Sequence, residues 1–329
     1  MGEKEDKKPK IQGPVIFKTF TPNQVEKKEE YSVEKIDEED EIILINKLNP
    51  QANRYQYSLI LKNNSNFPIS DAKLEIISPK FLTMAGCFPK TVDIVPFKED
   101  DEDGYKSYGI KLDKLREKSS KEIQIHFTPN TLHATAKLRT ILTYMNYKGK
   151  LKNLKSQTTE IQIDQITVTP KVILSSEIRE FSQLPGNKRI LYSLGIGTNK
   201  KINTDKILDD MKNFFQFHSF QLITKDPDRG ILWFCGTDIR STSDILILCR
   251  IGSSQIEVIV FLKKPLIIVP FLFTFSQIIQ ERLSKNKVIK PKKNIFELIC
   301  VNCGSVLSYF PRKGESIICN KCNYDQIVW

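Results

Sequence analysis

RGILWFCGTDIRSTSDILILCRIGSSQIEVIVFLKKPLIIVPFLFTFSQIIQERL, residues Arg229 to Leu283, decides how this chain folds. Gly230–Thr237, Asp244–Ile251 and Gln255–Leu262 are apolar runs of strand length bounded by turn residues, and an apolar helix begins near Leu266. Upstream, Ile207, Leu208, Met211, Phe214 and Phe215 recur at helical spacing, the stripe of a core-facing helix capped by Asn203 or Thr204. The strand Phe220–Lys225 follows. Asp226-Pro227-Asp228-Arg229-Gly230 turns it back, because Pro presets one turn dihedral and Gly reaches positive φ. With Arg189–Gly197 in front, the order is β-α-β-β-β-β-α. Ile231–Cys235 and Asp244–Cys249 are apolar on both sides, so both faces of this sheet need cover.

At 329 residues the chain suits two domains and a small module, and 40% hydrophobic with 27% charged residues is a globular composition. Met1–Asp6 carries no apolar segment, so no secretory signal is expected. The most apolar run, Pro265–Phe275, is broken by Pro270 and falls short of the roughly 20 residues that span a bilayer, so it reads as a buried helix and no transmembrane segment is expected. Nearly half of the net charge of +11 sits between Glu281 and Lys293, where Arg282, Lys285, Lys287, Lys290, Lys292 and Lys293 face one Glu. Lys148, Lys150, Lys152 and Lys155 crowd one hairpin, and Glu99–Asp103 is an acidic loop that lacks the glycine and spacing of a calcium site. Both read as solvated.

In chain order, residues 1–30 mix Lys, Glu, Pro and Gln without periodicity and read as a flexible charged tail. Residues 31–170 read as an immunoglobulin-like β-sandwich of seven or eight strands. Tyr55, Tyr57, Leu59 and Leu61 alternate with polar neighbours, and Ile123, Ile125 and Phe127 alternate with Gln124 and His126. The β-α-β4-α platform occupies 171–284, a basic linker 285–294 and a small cysteine-rich ribbon 295–329. The fold class expected is therefore multi-domain, β followed by α+β.

Cys300-Val301-Asn302-Cys303 and Cys319-Asn320-Lys321-Cys322, with 15 residues between the pairs, have the spacing of a four-thiolate zinc ribbon. Gly304 permits the tight turn after the first pair. Four protein ligands leave no open coordination position, so one structural Zn²⁺ is expected at Cys300, Cys303, Cys319 and Cys322. Cys87, Cys235 and Cys249 lie in or beside apolar runs and read as core residues. His126, His133 and His218 are the only histidines and are scattered; each reads as structural, either exposed or with its hydrogen bonds met. No phosphate loop, serine elbow or paired-carboxylate motif occurs, so no enzymatic activity is expected.

A sandwich followed by a β-α-β4-α platform resembles the appendage, or ear, of the coatomer gamma subunit and, more distantly, of clathrin-adaptor large subunits. Ile231-Leu232-Trp233-Phe234-Cys235-Gly236 and Ser243-Asp244-Ile245-Leu246-Ile247-Leu248-Cys249-Arg250 carry the resemblance: an apolar strand ending in Gly, then an Asp-Ile-Leu strand ending in Arg. The likeness spans about residues 40–285 and leaves out the ribbon, which resembles zinc ribbons of transcription factors and adaptor proteins. It implies a non-enzymatic adaptor that binds short peptide motifs of partner proteins, cytoplasmic and peripheral to a membrane coat in vesicle-mediated transport. A free-standing ear with a ribbon implies an archaeal or early-branching relative. The family docks peptides on an aromatic flanked by basic residues, which implies Arg250 and Lys263 as the basic positions and Phe181 or Trp233 as the aromatic. The alternative reading is a nucleic-acid or transcription-associated zinc-ribbon protein using the ribbon and the basic linker. Four thiolates on Zn²⁺ add about −2, and base-stacking aromatics are missing from the linker, which weighs against it.

Overall fold

Alternation in the first half of the chain produces strands, and the strands pair into two sheets. A computed structural model describes residues 33–37, 41–89, 94–98, 104–197, 203–285 and 294–329. The tail 1–30, the acidic run Glu99–Asp103 and residues 286–293 of the basic linker lie outside the described residues. Among the described residues eleven strands build the first half: β1 (Val33–Asp37), β2 (Ile42–Gln51), β3 (Arg54–Asn63), β4 (Ile69–Pro79), β5 (Leu82–Phe88), β6 (Ile94–Lys98), β7 (Tyr105–Leu115), β8 (Ser119–Pro129), β9 (His133–Met145), β10 (Leu151–Lys155) and β11 (Thr159–Asp164). They form the antiparallel sheets β1-β2-β3-β8-β5 and β10-β9-β4-β7-β6, with β11 joined to β9. The strand number exceeds the seven or eight expected partly because β1 and β6 show no alternation. Both sit at sheet edges, where pairing rather than burial defines a strand and where Pro96 is tolerated. Tyr55, Tyr57 and Leu59 of β3 stand in register with Phe127, Ile125 and Ile123 of β8. Leu74, Ile76, Leu142 and Tyr144 of the opposing sheet fill the same core.

The second half continues with β12 (Val168–Pro170), α1 (Ile178–Ser182), β13 (Lys188–Ile196), α2 (Thr204–Phe217), β14 (Gln221–Asp226), β15 (Ile231–Asp238), β16 (Ser243–Ile251), β17 (Gln255–Leu262) and α3 (Ile268–Lys285). The ribbon contributes β18 (Ile295–Glu297), β19 (Ser316–Ile318) and β20 (Asp325–Ile327). One sheet runs β12-β15-β16-β17-β13-β18, with β14 joined to β15, and every pairing in it is antiparallel. Asn203 caps α2: its side chain accepts from the Lys206 amide at 3.0 Å. Gly230 closes the β14–β15 turn at φ 64°, and a Cβ there would lie 2.2 Å from the Ile251 carbonyl oxygen.

Helices α2 and α3 cover one face of this sheet. Phe214, Phe215, Phe271 and Phe275 interlock there with ring centroids 5.2 to 5.9 Å apart, above Tyr192 and Phe234. Helix α3 belongs to two cores: Val269 is buried in the sandwich cluster, while Ile268, Phe271, Leu272, Phe275, Ile279 and Leu283 are buried with the sheet. The alternation of Pro265–Phe275 between two apolar environments explains its hydrophobicity. Among the described residues, Pro265–Lys285 is the one helical stretch long and apolar enough to cross a membrane, and half of its most apolar window is buried in these cores. Residues 31–329 form one compact unit.

Candidate metal centre and the ribbon that carries it

Each Cys-x-x-Cys pair folds into a knuckle because backbone amides turn toward its first sulfur. The Asn302 amide donates to Cys300 Sγ and the Lys321 amide to Cys319 Sγ, both at 3.4 Å. Each turn closes one residue after the pair, where Gly304 (φ 67°) and Asn323 (φ 54°) are left-handed and donate to the Cys300 and Cys319 carbonyls at 2.8 Å. Asn323 is thus the second knuckle's counterpart of Gly304, a role its tolerance of that conformation allows. The four sulfurs lie within 4.8 Å of one another, with Cys300–Cys322 and Cys303–Cys319 at 3.6 Å. A tetrahedral ion about 2.3 Å from each sulfur would hold them roughly 3.8 Å apart, so the four residues fit such an ion. Burial pushes the Cys300 thiol up to about 12. For Cys319 burial is outweighed by the Ser305 hydroxyl and the Lys321 and Cys322 amides, and its thiol falls to about 6.

The ribbon is docked on both halves of the molecule. Its strand β18 is the outer strand of the platform sheet, with Ile295, Phe296 and Glu297 opposite Ile196, Gly195 and Leu194. Phe310 and Trp329 lie over the two glycines of that edge: a Cβ on Gly195 would meet Phe310 Cδ2 at 2.2 Å, and one on Gly197 would meet Trp329 Cε3 at 2.7 Å. On the sandwich side, Gln51 Nε2 donates to the Gly304 carbonyl, and Phe88 packs against the ribbon core of Leu298, Leu307 and Ile317. Glu297 stands where all three parts meet. Its carboxylate accepts from Asn53 Nδ2 at 2.6 Å and pairs with Arg54, both at the β2–β3 turn, and from the platform it accepts from Tyr192 Oη at 3.5 Å. The boundary drawn at residue 295 is therefore a boundary in sequence only. His126 also departs from expectation. Its alternation points it away from the sandwich core, yet it is 5% exposed because the ribbon covers it, and its Nε2 has no hydrogen-bond partner among the described residues. Burial, with Arg54 and Lys321 nearby, pushes its imidazole down to about 4.

The residues expected to bind peptide lie on the platform face opposite α2 and α3, and the register sorts them. Trp233, Leu248, Ile259 and Leu191 form one row across four strands. Ile231, Arg250, Glu257 and Ser193 form the row on one side, and Cys235, Leu246, Phe261 and Arg189 the row on the other. Trp233 is half-buried and stacks toward Phe261, centroids 6.5 Å apart. Arg250 is exposed and pairs with Glu257 at 3.2 Å. Phe181, on α1, is only 8% exposed, closed against Cys235 and Leu246 with the Lys171 ammonium 5.8 Å above its ring. Lys263 is exposed beside Asp244, six residues along β16 from Arg250, or about 20 Å at strand rise. The face thus brings Trp233 near Arg250 and leaves Lys263 and Phe181 at its far end. Arg189 escaped sequence reading: it is exposed, next to Phe261, and has no carboxylate partner among the described residues. Nothing in its own neighbourhood could have signalled it, since its place depends on β13 pairing with β17.

No family model matches this chain, and no curated protein matches it. Similar solved structures include a cohesin module from a family 33 glycoside hydrolase of Clostridium perfringens, at 10% identity over 41% of this chain and 97% of that one, TM-score 0.29. Another is the major pilin subunit BcpA of Bacillus cereus, at 10% identity over 68% of this chain and 67% of that one, TM-score 0.28. A DUF4466 family protein of Parabacteroides merdae shares 7% identity over 65% of this chain and 93% of that one, TM-score 0.25. Likenesses this low carry no argument about function.

Proposed function

We propose that this chain is a non-enzymatic adaptor whose platform binds short peptides, built as a sandwich and β-α-β4-α platform of the appendage type with a structural zinc ribbon. Four cysteine sulfurs in tetrahedral reach of one ion favour Zn²⁺, which soft thiolates select and which needs no open position for a structural role. The observation that carries the peptide reading is the platform face between α1 and the ribbon. An apolar row of Trp233, Leu248, Ile259 and Leu191 lies there between two exposed arginines, Arg250 and Arg189. An aromatic side chain would pack on the row beside Trp233 and Phe261, and a flanking carboxylate would pair with Arg189, which has no acidic partner among the described residues. Arg250 contributes less, because Glu257 already occupies it. By the appendage resemblance such peptides belong to accessory factors of a coat, which places the protein in the cytoplasm and at the surface of membranes.

The test is a titration of the full chain with fluorescent peptides carrying one aromatic and two or three acidic residues. A motif that small buries well under a standard interface, so a micromolar constant is expected. Arg189→Glu should weaken it at least tenfold, Arg250→Glu less, and Lys263→Glu hardly at all. Absence of peptide binding, together with salt-sensitive binding to DNA or RNA, would overturn the adaptor reading in favour of nucleic acid.

A further inference from the structure

The ribbon has too little apolar material to hold itself together. Its buried cluster is Leu298, Leu307 and Ile317 with Cys300, Cys303 and Cys319, so half of that core is metal-site sulfur. Yet its attachments reach both halves of the molecule. The first knuckle presses on the sandwich: Gly304 lies against His126 and accepts from Gln51, and Phe88 closes over the cluster. The Leu298 amide donates to the Ser193 carbonyl at 3.0 Å and the Gly197 amide to the Asn294 carbonyl at 2.8 Å, extending the β13–β18 pairing at both ends. The Phe310 amide donates to Gln255 Oε1 at 3.2 Å, and Trp329 Nε1 holds the Pro311 carbonyl at 2.8 Å, which fixes the stacked rings over Gly195 and Gly197. A domain with so small a core takes its folding energy from the metal, and here that energy is spent on surfaces that belong to other domains.

We infer that the metal-loaded ribbon is a strap fastening the sandwich to the platform edge, so that loss of the metal frees His126 on one side and Gly195–Gly197 on the other. This goes beyond the peptide-binding reading and does not depend on it. Three features set it apart from a tethered module. Gly195 and Gly197 are contact surfaces shaped to the ribbon and Gly304 is the ribbon's own contact with the sandwich, Glu297 links residues of both halves, and His126 is buried with the docked knuckle against it. Helix α3 still joins the two halves, so the released protein keeps both large cores.

The experiment uses the full chain carrying Trp233→Phe, which leaves Trp329 as its only tryptophan. It is compared metal-loaded and after a strong chelator under reducing conditions. Chelation is expected to red-shift Trp329 emission and to speed exchange of the Gly197 amide, which donates to the Asn294 carbonyl, by tenfold or more. It should also make His126 reactive to diethyl pyrocarbonate at a rate approaching that of His133, whose side chain is exposed in the docked protein. Exchange confined to residues 298–329, with the Gly197 amide and His126 still protected, would overturn the strap. A second variant separates docking from metal binding. Gly195→Val should retain one metal per chain and still shift Trp329 emission, because the new side chain fills the Phe310 slot; unshifted emission with the metal bound would also overturn it.

Discussion

Gly304, one residue past the first cysteine knuckle, lies so close to His126 of the sandwich that a Cβ on it would fall 2.5 Å from the imidazole Cε1. Its φ of 67° separately favours glycine. Gly304→Ala should therefore destabilise the protein twice over, through left-handed backbone strain of about 1–2 kcal/mol and through the clash. His126→Ala removes only the second effect. A double-mutant cycle followed by thermal melting is expected to show Gly304→Ala costing less in the His126→Ala background, with a coupling of about 0.5–3 kcal/mol. Strict additivity would show that the knuckle does not rest on the imidazole.

Glu297→Ala strips Asn53, Arg54 and Tyr192 of a shared acceptor in a half-buried site. Leaving such groups unpaired costs about 1–3 kcal/mol, so a melt lowered by several degrees is expected. Glu297→Gln keeps an acceptor and should recover part of the loss. Calorimetry of the three proteins decides it.

Acid should loosen the junction between sandwich and platform. Asp164 is held below the usual carboxylate range although burial opposes this, because Arg240, His133 and Gln162 hydrogen-bond to it. Asp244 is held down against its own burial by Lys171 and Thr237, with Lys263 nearby. A carboxylate whose folded pKa lies below its unfolded value of about 4 stabilises the fold above that value and loses the contribution as pH falls through the folded pKa. Amide exchange over Gln165–Val172, corrected for intrinsic rate, should be flat from pH 7 to about 4 and rise only below. Asp164→Asn with Asp244→Asn should remove that acid step.

Phe275 touches Tyr192, Phe214 and Phe215, and its helix serves both cores. Phe275→Ala should cost about 3–5 kcal/mol and lower a single cooperative transition, if the two halves melt as one. Two separated transitions in calorimetry would show that α3 does not couple them.

Local pattern was enough for the elements around Arg229–Leu283, for the α2 stripe and its cap, and for the four sulfurs. Each of these is written in spacing: a run of apolar residues of strand length, a period of 3.6, a pair of cysteines with two residues between them. The alternation in β3 likewise announced which residues face the sandwich core. What local pattern could not carry was contact between distant strands. Arg189 gains its place beside Phe261 only when β13 pairs with β17. Lys263 is separated from Arg250 by the direction of β16, and Phe181 is buried because α1 folds back over Cys235 and Leu246. His126 read as outward and was outward, until the ribbon closed over it. Gly195, Gly197 and Gly304 gave no hint in their neighbourhoods that they are docking surfaces, because a glycine's missing side chain matters only once another part of the chain arrives. Secondary structure and the folding of each cysteine pair into a knuckle are properties of nearby residues and were determined by the sequence directly, whereas the joining of ribbon, sandwich and platform depends on long-range packing that only the tertiary structure decided.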